Sequence, residues 1–230
     1  MPKLIFNDLG RINYAEAFEF QNRLFEKKIT QKKTGETPDN HILWCEHPHV
    51  YTLGNSGNQN NLLVDENFLR RIHATYYKSN RGGDITYHGP GQLVGYPIID
   101  LDQFNIGVKD YIYKLESVIS KLIADYDLKG EIKKGAAGVW LDTGKPDERK
   151  ICAVGVKVNR NITMHGFALN ITTDLSYFSH INPCGFTDKK ATSLQKETGK
   201  NIAVNEIKSK LEKMLTKSLN SKEKTVKDLK

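Results

Sequence analysis

Cysteine is scarce in this chain, and its three copies, Cys45, Cys152 and Cys184, include no CxxC pair. An odd, widely spaced set makes a poor disulfide framework, and without paired thiols no zinc site is spelled out. Long apolar runs are missing too, since none approaches the roughly 20 residues that would cross a bilayer. The amino-terminal stretch MPKLIFNDLGRINYAEAF turns polar too soon for the apolar region of a secretory leader. Neither GxxxxGK[ST] nor GxGxxG occurs, so phosphate cradling has no direct support. Zinc-finger, helix-turn-helix and RNP aromatic patterns are lacking as well. No internal repeat is found, and the only biased segment is the Lys-rich end SKEKTVKDLK. His47 and His49 are close but have no further ligands nearby, and Pro48 between them marks a turn. Neither a metal nor a cofactor is expected.

What remains fits a cytoplasmic, globular protein. Over 230 residues, 38% are hydrophobic and 27% charged, enough for one ordinary core and little for two. One domain over residues 1–220 is expected, with 221–230 a disordered tail. The net charge of +7 suits acidic partners, protein or nucleic acid. The excess is spread over helix surfaces and the tail, and no nucleic-acid motif accompanies it.

Periodicity supplies the elements. Lys3–Leu9 reads as a first strand, and Tyr14–Lys33 places Ala17, Phe18, Gln21, Leu24, Phe25 and Ile29 on one helical face. Gln31–Asn40 reads as a loop. His41–Glu46 and Val50–Leu53 are short β-rich runs broken by His47-Pro48. Asp65 caps a short helix through Ile72. A strand is expected at Gly95–Leu101, and the clearest helix at Val108–Tyr126. Further strands fall at Gly138–Leu141, Ile151–Val158 and Thr163–Ile171. A last amphipathic helix carries Ile207, Leu211, Met214, Leu215 and Leu219. Strands mixed with a few sheet-covering helices indicate an α/β (α+β-like) domain with a mixed sheet.

Three segments have compositions that folding alone does not need. RGGDITYHGPGQ, Arg81–Gln92, packs glycines beside Arg81 and His88, as a pocket-lining loop or a pair of turns between strands would. RKICAVGVKV, Arg149–Val158, is a β-like run opening with Lys150, which is either solvated or functional according to what it faces. In INPCGF, Cys184 sits between Pro183 and Gly185 on a sharp turn, whereas Cys45 and Cys152 lie in apolar β-type runs. Cys184 is therefore the candidate nucleophile. A free thiol is mostly protonated at neutral pH, so it needs a nearby cation or base, and Lys150 and His88 are the candidates.

Together these segments resemble the lipoyl(octanoyl) transferase family. The matching pieces are EHPHVYTLG (46–54), RGGDITYHGPGQLVGYPIIDL (81–101), GVW (138–140), KICAVGV (150–156), TMHGFALNI (163–171) and INPCG (181–185). They keep the family's order along Glu46–Gly185, a span of over half the chain. The resemblance implies the mixed-sheet fold of biotin and lipoate protein ligases. It also implies transfer of an octanoyl or lipoyl group, without cofactor or metal, from an acyl carrier protein thioester. The acceptor is a lysine of the lipoyl domains of 2-oxoacid dehydrogenases or of the glycine-cleavage carrier protein. Carried over residue by residue, the nucleophile falls on Cys184 and its partner on Lys150, 34 residues earlier. Substrate contacts fall on Arg81, Gly82, Gly83, Asp84, Ile85, Thr86, Tyr87 and His88, on Ala153, Val154 and Gly155, and on Gly166, Phe167 and Ala168. A monomer that binds neither nucleic acid nor membrane is expected. Cys152 stands where the family commonly has alanine and Phe167 where leucine is usual; Asp84 and Phe186 also depart from frequent choices. Phe167 adds bulk beside the inferred acyl pocket, which leaves chain-length preference open.

The chemistry closes without ATP, because a thioester passes to a thiol at little cost and aminolysis to an amide is downhill. The alternatives are an ATP-dependent lipoate or biotin ligase on the same fold, which would not need Cys184, and a non-catalytic binding module.

Overall fold

The apolar stripe of Val108–Ala124 decides the layering of the molecule. Tyr111, Leu115, Val118, Ile119, Leu122 and Ile123 are buried along it, so this helix lies against an apolar sheet face. Val204–Asn220 joins it there through Ile207, Leu211, Leu215 and Leu219. Tyr14–Lys33 covers the opposite face with Ala17, Phe25 and Ile29. The computed structural model of the chain describes residues 1–182 and 190–221.

In chain order the strands are Leu4–Arg11 (β1), Asn40–Glu46 (β2), Val50–Leu53 (β3), Thr75–Lys78 (β4), Ile85–His88 (β5), Gln92–Ile98 (β6), Glu131–Ile132 (β7), Gly138–Leu141 (β8), Arg149–Asn159 (β9), Ile162–Asn170 (β10) and Lys190–Ala191 (β11). The helices are Tyr14–Lys33 (α1), Glu66–Arg71 (α2), Val108–Ala124 (α3), Leu194–Thr198 (α4) and Val204–Asn220 (α5). The main sheet runs β1-β2-β6-β10-β9-β8-β7, with β11 beside β9. The β1–β2 and β9–β11 pairs are parallel and the rest of this sheet is antiparallel, so it is mixed. A small second sheet, β4-β3-β5, carries its own core of Tyr51, Leu53, Ile85 and Tyr87.

Side chains alternate across a strand, and both faces are covered here, so the central strands are apolar almost throughout. In β2, Ile42 and Trp44 join the α3/α5 side while Leu43 and Cys45 join the α1 side. Moving each such side chain out of water is worth about 1.5–3 kcal/mol. That two-sided burial fixes the register of β6, β10 and β9, which build the site.

Most expected elements occur where periodicity put them, with shifted ends. The first strand runs on to Arg11, because a bulge between Asp8 and Arg11 keeps it paired to β2. The helix holds to Lys33, so only 34–39 are loop. The strand expected at Gly95–Leu101 is Gln92–Ile98 instead, since Gln92, Leu93 and Val94 pair with Asn170, Leu169 and Ala168 of β10. The long helix stops at Ala124, and Asp127 has a φ of 61° just beyond it. β4 and β5 have no counterpart in the sequence reading. Four-residue strands carry too little periodicity, and β5 lies inside a segment dominated by glycine.

Candidate active site

The glycine-rich segment is two turns with a strand between them. Before β5, residues 81–84 continue the small sheet's ladder: Asn55 and Ser56 donate to the carbonyls of Arg81 and Gly83, and Gly54 to that of Asp84. The turn also docks on the main sheet, where the Gly82 amide donates to Val156 O at 3.0 Å. Close backbone approach demands the glycines on β9 and β10. A Cβ on Gly155 would lie 2.9 Å from Gly82 O, and one on Gly166 only 2.2 Å from Gly95 O.

These contacts close a cavity of about 460 Å³ over β9, β10 and the 81–88 segment. Arg81, Gly82, Gly83, Asp84, Ile85, Thr86 and His88 line one side, and Ala153, Val154, Gly155, Gly166, Phe167 and Ala168 the other. Lys150 lines it as well, with Trp140, Ala136 and Ala137 beside it and Lys190 and Ala191 of β11 next in the wall. Tyr87 faces away. Its ring stacks on Tyr177 at 5.0 Å and its hydroxyl lies 2.7 Å from His49 Nδ1, within the small sheet's core. Asp84 lines the cavity but also ties the loop, accepting from the Asn58 and Ile85 amides and from Asn61 Nδ2.

Cys184 lies outside the described residues, between two anchored flanks. On one side Ile181 bridges Leu62 and the Asn182 amide donates to Asn61 O at 2.8 Å. On the other, β11 pairs Lys190 with Arg149 and Ala191 with Lys150, filling the slot beside β9 that β10 leaves at Cys152. The described chain thus ends at Asn182 beside the 59–62 turn and resumes at Lys190 beside Arg149 and Lys150. Lys150 Nζ donates to Ala137 O at 3.0 Å and sits 4.4 Å from the Trp140 ring centre.

A second group of lining residues is polar and deeply buried. His88 Nδ1 donates to Gln92 Oε1 at 2.7 Å, which leaves Nε2 as acceptor toward Thr52 Oγ1. Gln92 Nε2 donates on to Asn170 Oδ1 at 2.8 Å, and Asn170 Nδ2 to Thr192 O at 2.9 Å. His165 donates from Nε2 to Asn80 Oδ1 at 2.7 Å, while its Nδ1 has no hydrogen-bond partner among the described residues. Its φ of 60° sits in the middle of β10, a conformation that histidine adopts more readily than most residues. Behind this pair His47 donates from Nδ1 to Ile12 O and meets the Tyr96 hydroxyl at Nε2, 2.8 Å each. Burial holds all three imidazoles neutral, with pKa values of about 4 for His47 and about 3 for His88 and His165. The Arg81 guanidinium, grounded on Thr52 O at 2.6 Å, adds repulsion toward His88 and His165.

Of the other thiols, Cys45 and Cys152 are buried, and burial pushes both well above the ordinary thiol range. Sequence reasoning named His88 but passed over Tyr14, Gln92, Tyr96, Trp140 and His165, which also line the cavity. One signal was available, since a histidine in the middle of an apolar strand is a buried polar group and asks for an explanation.

Such a cavity can take an apolar chain along Val154, Phe167 and Ala168, with Lys150 in its wall. The model of the lipoyl protein ligase A/B catalytic domain matches residues 13–216. An octanoyltransferase from Parabacteroides distasonis is 56% identical over 200 residues, 86% of this chain and 90% of that protein. Another, from Bacteroides thetaiotaomicron, is 46% identical over 97% of this chain and 99% of its own length. Among solved structures, the bipartite lipoate protein ligase of Thermoplasma acidophilum aligns with a TM-score of 0.69 at 13% identity, covering 95% of this chain and 84% of that one. Biotin protein ligase from Aquifex aeolicus, in complex with biotin and ATP, gives 0.54 at 15%, covering 95% and 71%. At those identities the likeness shows the fold, a mixed-sheet architecture shared with lipoate and biotin ligases. Matched by the family model over most of its length and by near full-length relatives, the chain belongs to the lipoyl protein ligase A/B catalytic domain family.

Proposed function

We propose that Cys184 carries an octanoyl group as a thioester between an acyl carrier protein and the target lysine, with Lys150 as its partner. The chain is an octanoyl-transferring enzyme of protein lipoylation, in keeping with the octanoyltransferases it resembles along most of its length. Arg81–His88, Ala153–Gly155 and Gly166–Ala168 are proposed to bind the acyl chain and its carbonyl. The observation that most supports this reading is the pairing of β11 with β9, which sets Ala191, seven residues after Cys184 in the chain, beside Lys150.

The Cys184 thiolate attacks the donor's thioester carbonyl, and as the acyl-Cys184 bond forms the carrier's sulfur leaves, taking a proton from the Lys150 ammonium. A nearby Lys150 ammonium favours that thiolate. The neutral ε-amine of the acceptor lysine then attacks the same carbonyl, the amide forms, and Cys184 leaves as its thiolate. Lys150, once neutral, would take the proton of the incoming amine. Backbone N–H groups of the glycine-rich turn are candidate donors to the oxyanion. Burying the seven carbons beyond the carbonyl, at ~0.8 kcal/mol each, gives about 6 kcal/mol of gross binding.

The donor is proposed to be octanoyl-acyl carrier protein, and the acceptors lipoyl domains of 2-oxoacid dehydrogenases and the glycine-cleavage carrier protein. The net charge of +7 suits acidic carriers of this kind. A cytoplasmic monomer completes the proposal; among the described residues no helix is long and apolar enough to cross a membrane. An ATP-dependent ligase fits less well, since the ligases resemble this chain at fold level only. The test is intact mass after mixing with octanoyl-acyl carrier protein. One hydroxylamine-labile octanoyl adduct, missing from Cys184→Ala, is expected. No adduct, with transfer surviving in Cys184→Ala, would make the cysteine structural.

A further inference from the structure

Helix α3 buries one acid among its apolar positions. Glu116 is 4% exposed, between Leu115 and the Val118–Ile119 pair that packs on the sheet. A carboxylate there is costly unless something holds it, and what holds it is a backbone amide: the Gly138 N–H donates to Glu116 Oε1 at 2.8 Å.

That amide belongs to the same peptide unit whose carbonyl accepts from Lys150. Lys150 Nζ donates to Ala137 O at 3.0 Å, and the next atom along that peptide bond is the Gly138 nitrogen. The carbonyl and N–H of a trans peptide point in opposite directions, so the unit forms a straight relay: ammonium, carbonyl, N–H, carboxylate. Hydrogen bonds in series polarise one another, so a carboxylate on the N–H makes the carbonyl a stronger acceptor. The turn is also clamped by Trp140 Nε1, which donates to Ala136 O at 2.9 Å, and the Trp140 ring supports the Lys150 ammonium. Gly138 has a φ of 128°, and a Cβ there would touch Lys150 Cε at 3.3 Å and Cys152 O at 2.4 Å. Glycine at this position therefore lets the lysine chain lie across the strand.

We propose that Glu116 is a positioning residue for Lys150, acting through the Ala137–Gly138 peptide that the two side chains grip from opposite sides. This rests on the reading of Lys150 as the partner of Cys184. Glu116 fixes where the lysine's nitrogen sits and, through its charge, keeps that nitrogen protonated until a thiolate has formed beside it. Burial raises the carboxyl above its usual range, and the Gly138 N–H and then the Lys150 charge pull it part of the way back. Among the described residues, the titratable groups coupled to it are Lys150 and the Cys152 thiol, both on β9; β8 contributes the Gly138 N–H.

Substitution separates this role from mere capping of a turn. Glu116→Gln keeps an acceptor for the Gly138 N–H and removes the charge, while Glu116→Ala removes both. The readout is the rate at which Lys150 is acetylated by acetic anhydride between pH 7 and 11, followed by peptide mass spectrometry without substrate. Exposed lysines of the same chain serve as internal references. In Glu116→Gln the Lys150 curve is expected to move down by roughly one pH unit, about tenfold faster labelling near neutrality. Wild-type and Glu116→Gln curves that superimpose overturn the proposal. Should Glu116→Ala fail to fold, the glutamine variant decides alone. Failure of the Cys184–Lys150 reading is seen separately, as octanoyl transfer surviving in Cys184→Ala.

Discussion

Acidification from pH 7.5 to 5.5 should cost this protein a large part of its stability, because its site region is built on three histidines buried in the neutral form. His47, His88 and His165 are at most 6% exposed, and their folded pKa values lie at about 4, 3 and 3 against 6.5 when unfolded. Each is depressed by burial, so its contribution is complete above the unfolded value of 6.5 and is lost as pH falls toward the folded one. At pH 5.5 the unfolded imidazole is mostly charged while the folded one is still neutral, a penalty of about 1.4 kcal/mol each and about 4 kcal/mol for the three. His41 and His49, also lowered by burial, act in the same direction. The paired carboxylates Asp102, Asp142 and Glu197 are lowered by their Lys and Arg partners and fail only in more acid solution, below this window. Urea unfolding at constant ionic strength measures the effect. His165→Asn, which tolerates the positive φ, should remove about a third of it, leaving near 3 kcal/mol. A loss smaller than about 1 kcal/mol between the two pH values, or one that His165→Asn leaves unchanged, would refute the neutral, buried assignment.

Gly166→Ala puts a methyl group 2.2 Å from the Gly95 carbonyl oxygen, so β6 and β10 must part beside the cavity. A loss of about 1–3 kcal/mol is expected, read as a lower urea midpoint at unchanged slope. Cys45 and Cys152 are both buried with raised pKa values, so iodoacetamide at pH 8 should leave them unmodified in the native protein and label them after unfolding. Native labelling of either, located by peptide mass, would show that its strand opens.

Local pattern was enough for the elements that carry most of the burial. The stripe on Val108–Ala124 and the one on Tyr14–Lys33 are written in helical period, and the fold class follows from helices that need a sheet to cover. The motifs also marked the walls of the cavity, since a glycine that must let two backbones approach leaves its trace in composition, as Gly155 and Gly166 do. Sequence could not say which faces meet. Whether Tyr87 lines the cavity or the small sheet's core depends on the pairing of β5 with β3, in which Tyr87 meets Tyr51, 36 residues away in the chain. Lys150 opens a strand and reads as solvated until β8 and β11 pair on either side of it. Glu116 is one acid in a helix, and only the packing of α3 under the Ala137–Gly138 peptide gives it a partner. Period-two and period-3.6 patterns record what is buried. Which buried polar group answers which is decided by long-range register, and that exists only in the folded chain.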